Sequence, residues 1–181
     1  MDFSIIEIIK LIVSATTSIV IVIIGLSINK RLKVFEHKQW KNQKLIEKRL
    51  EIYSELAPMY NDLLCYYIFV GNWKELSPDN IIKHKRIIDK KINLATPLFN
   101  KEFIAECNRF VSICYKSYNG WGQDAKLRTT LENRVEYFSG EWDNKWNSFF
   151  CDKSDCSNKE DIILTYNLIM QLFSKEIGLQ E

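Results

Sequence analysis

From Leu11 to Ile28 the chain reads LIVSATTSIVIVIIGLSI, eighteen residues without a charge. At about 1.5 Å per residue a helix of that length extends about 27 Å, close to the ~30 Å hydrocarbon core of a bilayer, so the segment is expected to cross a membrane. Two competing explanations fit less well. A cleaved signal peptide has a basic leading region and a small-x-small cleavage site, whereas Asp2 and Glu7 precede this run and NKRLK follows it. A buried core helix has no need of so long an uncharged stretch.

Lys30, Arg31 and Lys33 lie just past the span, and the positive-inside rule keeps that end in the cytoplasm. The expected organisation is a transmembrane anchor over residues 1–29, a basic juxtamembrane helix over 30–57 and a cytosolic helical domain over 58–181. Ser14, Ser18 and Gly25 share one helix stripe, the kind of small-residue face on which membrane helices approach closely. Self-association through that stripe and mere tolerance of small residues among Ile and Val are both open readings.

The net charge of +2 conceals a local excess. Lys30 to Arg49 hold eight Lys and Arg against Glu36 and Glu47, and the chain beyond is net acidic. Basic residues here would sit near anionic headgroups of inner-membrane lipids, each worth about 1 kcal/mol at the surface. A nucleic-acid backbone would suit them equally on charge, and a solvated stalk that only fixes topology is the plainest reading.

Beyond the span, hydrophobic spacing is helical almost throughout, which predicts an all-α fold: an N-terminal transmembrane helix followed by a cytosolic helical bundle. The first helix is expected to reach Leu56, with Pro58 marking its end or a kink, and Met59 to Trp73 to form a separate core helix. Ser77 to Asn80 starts the next, with Ile81, Ile88, Ile92 and Ala95 inward. Asn100 is placed to cap a helix burying Phe103, Phe110, Cys114 and Tyr118. A further helix is expected to carry Leu127, Leu131, Phe138, Trp142, Trp146 and Phe149, with Ser139-Gly140 a candidate interruption. Ser157 and Glu160 form a capping-box pattern for the last one, with Ile162, Tyr166, Ile169, Phe173 and Ile177 inward.

Chemistry-bearing patterns are sparse. Five cysteines without CxxC spacing and two histidines make a zinc centre improbable. Most of the cysteines read as reduced core residues, with Cys151 and Cys156 the pair to watch for redox chemistry. His84 reads as a surface residue among lysines. No GxSxG, P-loop, HExxH or EF-hand pattern occurs, so no catalytic residue, cofactor or metal ligand is assigned and an enzyme is not expected.

The loop NGWGQDAKLRTT stands out. Gly120 and Gly122 free the backbone around Trp121, whose ring can turn inward as a plug or outward as a contact. If a helix followed, Lys126 and Arg128 would fall in its first turn, where cations are disfavoured, while Asp124 would suit the dipole and pair with Arg128. One reading is a tight interhelical turn with a surface ion pair. The sharper one is a recognition surface, Trp121, Asp124, Lys126 and Arg128 with Lys85 and Arg86, for phosphates or an acidic protein.

Several segments, taken in order after the N-terminal span, carry a resemblance: KQWKNQKLIEKRLEIYSEL, GNWKELSPDNIIKHKRIIDKKI, TPLF, YNGWGQDAKLRTT and YNLIMQLFSKEIG. The chain resembles the membrane-anchored effector proteins of bacterial retron anti-phage defence cassettes, GWGQDAKLRT being the most specific part. The resemblance implies a toxin held in check by a reverse transcriptase and its multicopy single-stranded DNA (msDNA). Phage infection would release it to damage the bacterial inner membrane, an abortive infection. A signal received at Trp121 to Arg128 would pass along residues 29–56 to clustered membrane segments. Alternatives are a harmless membrane tether recruiting a nucleic acid or protein, and an effector gated by a small anionic nucleotide.

Overall fold

The computed structural model describes residues 5–117 and 120–179. Asp2, Tyr118, Asn119 and Glu181 lie outside them. The chain divides into two units, residues 1–45 and 46–181. The helical fold is as expected. Helix α1 spans Ile5–Ile68, α2 Pro78–Ala95, α3 Lys101–Cys114 and α5 Lys159–Glu176, with a short α4 at Arg134–Tyr137. The strands β1, Tyr115–Lys116, and β2, Lys126–Leu127, form an antiparallel ribbon.

In the first unit, no described side chain from Ile5 to Lys44 is buried. This stretch is long and apolar enough to cross a membrane. Three of its hydroxyls bond within the helix. Thr16 Oγ1 donates to the Ile12 carbonyl at 2.9 Å, Thr17 Oγ1 to Val13 at 2.7 Å and Ser18 Oγ to Ser14 at 2.9 Å.

Of the two roles expected for Pro58, an end or a kink, the end is not taken: helix α1 runs through it, and residues 59–68 belong to α1 rather than to a separate helix. Pro58 removes one backbone hydrogen bond, but Pro58 and Ser54, whose carbonyl is freed, are both exposed, so water can serve it. Burial of Leu56, Tyr60, Leu63, Tyr66 and Tyr67 holds the helix on either side. At about 1.5–3 kcal/mol per large apolar side chain, that outweighs the ~3 kcal/mol proline cost.

Arg49, expected among the headgroup-facing cations, is instead built into the helical unit. Its guanidinium pairs with Glu176 at 2.7 Å and donates to the Leu98 carbonyl at 2.7 Å and the Glu176 carbonyl at 2.5 Å. Glu176 Oε1 accepts from the Asn100 backbone N–H at 3.1 Å. This cluster joins α1, the turn Thr96–Leu98 and the end of α5. Beside it, Phe103 and Phe173 pack at 4.3 Å and Phe99 and Phe103 at 4.6 Å.

The predicted caps fall where local chemistry puts them. Ser77 Oγ accepts from the Asn80 N–H and Asn100 Oδ1 from the Phe103 N–H. The last helix differs by one residue. Asn158 Oδ1 caps α5 by accepting from the Glu160 N–H at 3.0 Å, while Ser157 Oγ donates to the Ile113 carbonyl at 2.6 Å. The inward stripes of α2, α3 and α5 are buried as read, Tyr166 in part, and Tyr118 of the α3 stripe lies outside the described residues.

The helix expected over 127–149 does not form. Asn133 takes a left-handed φ of 67°, and Ser139 donates its N–H to the Lys74 carbonyl at 2.9 Å, drawing the chain away from helical bonding. The aromatics make a cluster instead, with Trp142 and Trp146 5.3 Å apart and Phe138 5.9 Å from Trp142. Within α4, Arg134 is 2% exposed and closes the end of α1. It donates to the Tyr66 carbonyl at 2.9 Å, with its guanidinium 3.7 Å from the Tyr66 ring centroid. Helix α1 has no basic residue in its last turn, so Arg134 supplies the positive charge that a helix C-terminus favours.

His84 is partly buried rather than on the surface, its Nδ1 4.0 Å from Asp62 Oδ2. Burial lowers its pKa below 6.5, and Asp62 opposes this without reversing it. An unfolded histidine takes up its proton at higher pH than the folded one. Stability is therefore full above the unfolded pKa and declines as pH falls through the window below it. Thermal melts of the full chain from pH 8 to 5 should show this decline, and His84→Gln should flatten it. An unchanged pH profile in the variant would exclude His84 as the cause.

Candidate functional site

The ribbon pairs Tyr115 with Leu127 and Lys116 with Lys126. Side chains alternate between faces along a strand, so one pair faces the core and the other faces out. Tyr115 and Leu127 are 1% and 0% exposed, and Tyr115 Oη donates to the Ile81 carbonyl at 2.7 Å. The outer face therefore carries Lys116 opposite Lys126, with Arg128 two residues on. Like charges directly across a ladder are destabilising. A fold that places them so, with its core side well packed, concentrates positive charge on the other face.

The backbone makes this face rigid. Arg128 N–H donates to the Cys114 carbonyl, Cys151 N–H to the Leu127 carbonyl and Ser157 N–H to the Arg128 carbonyl, each at 2.9 Å. Asp155 meets Lys116 at 2.7 Å. The Lys116 hydrogen bond and charge, with a smaller contribution from Arg128, hold the Asp155 carboxyl below its ordinary range. Lys116 and Arg128 thus both act on the Asp155 carboxylate, while Lys126 shares a cleft with Asp124. Arg128 Nε is buried without a hydrogen-bond partner among the described residues.

The helix expected to begin in this loop is absent, so Lys126 and Arg128 meet no helix dipole and the i, i+4 helical spacing that motivated an Asp124–Arg128 pair is gone. Asp124 pairs with Arg86 of α2 instead. That contact brings Arg86 and Asp124 together beside Lys126, which with Gln123, Asp124, Ala125, Ser148 and Phe149 lines an open cleft of 440 Å³. Trp121 is directed outward, 96% exposed, between glycines at φ 135° and 74°. Lys85 leaves the group. It pairs with Asp89 at 2.6 Å and lies 6.0 Å from the Tyr115 ring, with only 13% of its side chain exposed.

Reading the sequence missed Lys116 and Asp155. The available signal was the Asn119-Gly120 dipeptide between Tyr115-Lys116 and Lys126-Leu127, which alternate apolar and basic as a hairpin does. Ser14, Ser18 and Gly25 are exposed on α1. All five cysteines are free. Burial pushes the Cys107 thiol up to about 12 and Cys114 higher still. Cys151 and Cys156 are also raised, by burial and then by Asp155, which disfavours the reactive thiolate in the pair singled out for redox chemistry. Comparison with known protein families, characterised proteins and solved structures found no match.

Proposed function

We propose that this protein is a membrane-anchored, non-enzymatic effector of a retron-type anti-phage system. It is restrained by a reverse transcriptase and msDNA and damages the bacterial inner membrane when released. The observation that carries the membrane half is the exposed, uncharged stretch of α1 from Leu11 to Ile28. The basic residues that follow it orient the remaining chain to the cytoplasm. The retron assignment rests on the sequence segments given above. Support for a phosphate-bearing partner comes from Lys116, Lys126 and Arg128 on one face of the ribbon, together with the exposed Trp121 in the loop that joins its strands, since exposed aromatic rings and cations together suit single-stranded nucleic acid.

A second reading, a tether without toxicity, is favoured by one fact. Thr16, Thr17 and Ser18 spend their hydroxyls on their own helix, and a lone uncharged helix lines no water-filled path, so any lesion requires several copies.

Expression with and without the neighbouring genes, following membrane potential and dye entry, separates the two. The effector depolarises cells when expressed alone and is silent beside its restraining partners. Lys126→Glu with Arg128→Glu should leave the toxicity and lose the restraint, with binding to msDNA weakened at least about tenfold. Harmless membrane localisation under every condition would establish the tether, and unchanged binding by the double variant would remove the ribbon face from the account.

A further inference from the structure

We infer that α1 pairs with a second copy of itself as a parallel, in-register coiled coil that runs from the membrane span into the basic juxtamembrane segment. The inference rests on α1 crossing the membrane in one direction, and it does not depend on toxicity.

In the aqueous part, Ile28, Leu32, Phe35, Gln39 and Asn42 follow at alternating steps of four and three residues. That is the 3.5-residue repeat of a left-handed coiled coil. From Lys30 to Lys44 seven of fifteen residues are charged, yet none falls on this line. Leu32 and Phe35 are 50% and 63% exposed, so within the first unit no described residue buries the line. Carried backward in the same register it meets Gly25, Ile21, Ser18 and Ser14. The small residues expected to permit close approach in the bilayer thus continue the same seam. Trp40 lies off it, its ring stacked on His37 at 6.2 Å.

Charge selects the occupant. With Leu32 and Phe35 as the a and d positions, Arg31 occupies g and Glu36 the following e. Five residues apart on one helix they do not face each other, but in a parallel pair the g residue of one copy meets the e residue of its partner. The one acidic residue between Lys30 and Lys44 therefore stands where it answers an arginine of the other copy. Lys30, Lys33, Lys41 and Lys44 fall on the outer positions b, c and f, where they repel least, and Lys38, at the next g, stands opposite the uncharged Gln43 at e of the other copy. Copies inserted in one direction leave the bilayer parallel and at equal depth, which supplies the register. Gln39 and Asn42 in the seam add specificity at some cost in stability.

The test uses single cysteines in the full chain, in native membranes, with an oxidant and non-reducing gels; the parent chain's five cysteines set the background. Leu32→Cys and Phe35→Cys should form disulfide-linked dimer at least about fivefold above Lys30→Cys and Lys41→Cys. Adding Glu36→Arg to Leu32→Cys should lower that yield, and adding Arg31→Glu as well should restore it. Equal yields around the helix, a double swap no better than the single, or no dimer above background would each overturn the pairing; the last is also the result of a seam covered by lipid headgroups. Fractionation of the same samples keeps the anchor separate. Flat yields from membrane-bound chain refute the pair alone, and a soluble chain that still crosslinks along the seam refutes the anchor alone.

Discussion

Arg49→Ala will destabilise the helical unit by roughly 3 kcal/mol, the lower end for removing one partner of a buried ion pair. The lower end applies because Arg49 keeps 18% of its side chain exposed, whereas Glu176 keeps 6%. Truncation strands the Glu176 carboxylate with only the Asn100 N–H, and it frees the Leu98 and Glu176 carbonyls that the guanidinium had engaged. It also removes the cation lying 5.5 Å from the Phe99 ring. Unfolding followed by far-ultraviolet circular dichroism, in the detergent used for the parent, checks this. Arg49→Met with Glu176→Leu removes the stranded carboxylate and should recover part of the loss, since a buried pair is often replaceable by apolar groups of like volume; the Asn100 N–H then lacks its acceptor, and the Leu98 and residue-176 carbonyls stay without the guanidinium. A midpoint for Arg49→Ala matching the parent would show that the cluster contributes nothing to stability.

Ile21→Lys will remove the protein from the membrane fraction and abolish depolarisation on unrestrained expression. Ile21 stands near the middle of the uncharged stretch. A lysine at a helix centre costs about 2.5–3.5 kcal/mol on insertion scales, which at ~1.4 kcal/mol per decade is about two orders of magnitude in the insertion equilibrium. Position should matter more than charge. Ile28→Lys, at the edge and next to native lysines, can extend its ammonium to the interface and should remain membrane-bound. Because Ile21 also lies on the proposed seam, Val20→Lys provides the same depth on another face and should behave alike. Unaltered fractionation of Ile21→Lys and Val20→Lys would mean that this stretch does not span a bilayer.

The features legible in the linear chain share a short reach. The span is a run of consecutive residues, and the caps at Ser77 and Asn100 act on N–H groups three residues away. The buried stripes of α2, α3 and α5 follow from helical period alone. Misreadings arose where a local signal competed with a distant one. Pro58 is a breaker by propensity, yet packing on both sides carries α1 through it. Leu127 to Phe149 has apolar residues at helical spacing, but its backbone bonds to Cys114, Lys74 and Cys151 instead. Ser157 lost the capping role because its hydroxyl donates across the fold to Ile113.

The candidate face shows the same division. Trp121, Lys126 and Arg128 drew attention because basic residues beside a glycine-flanked tryptophan are locally unusual. Lys116 joined them only through strand pairing; of the two α2 cations grouped with the loop from sequence, Arg86 stays through its pair with Asp124, 38 residues away, and Lys85 does not.

Hydropathy, charge asymmetry and helix punctuation are properties of neighbouring residues, so a long apolar N-terminal helix followed by a helical body could be read directly from their order. The closure of α1 by Arg134 joins residues 68 apart, and the Arg49 bond to the Glu176 carbonyl joins residues 127 apart. Such contacts exist only once the chain has collapsed, because desolvation is what makes a buried cation seek a carbonyl or carboxylate, and no run of neighbouring residues encodes which one it will find.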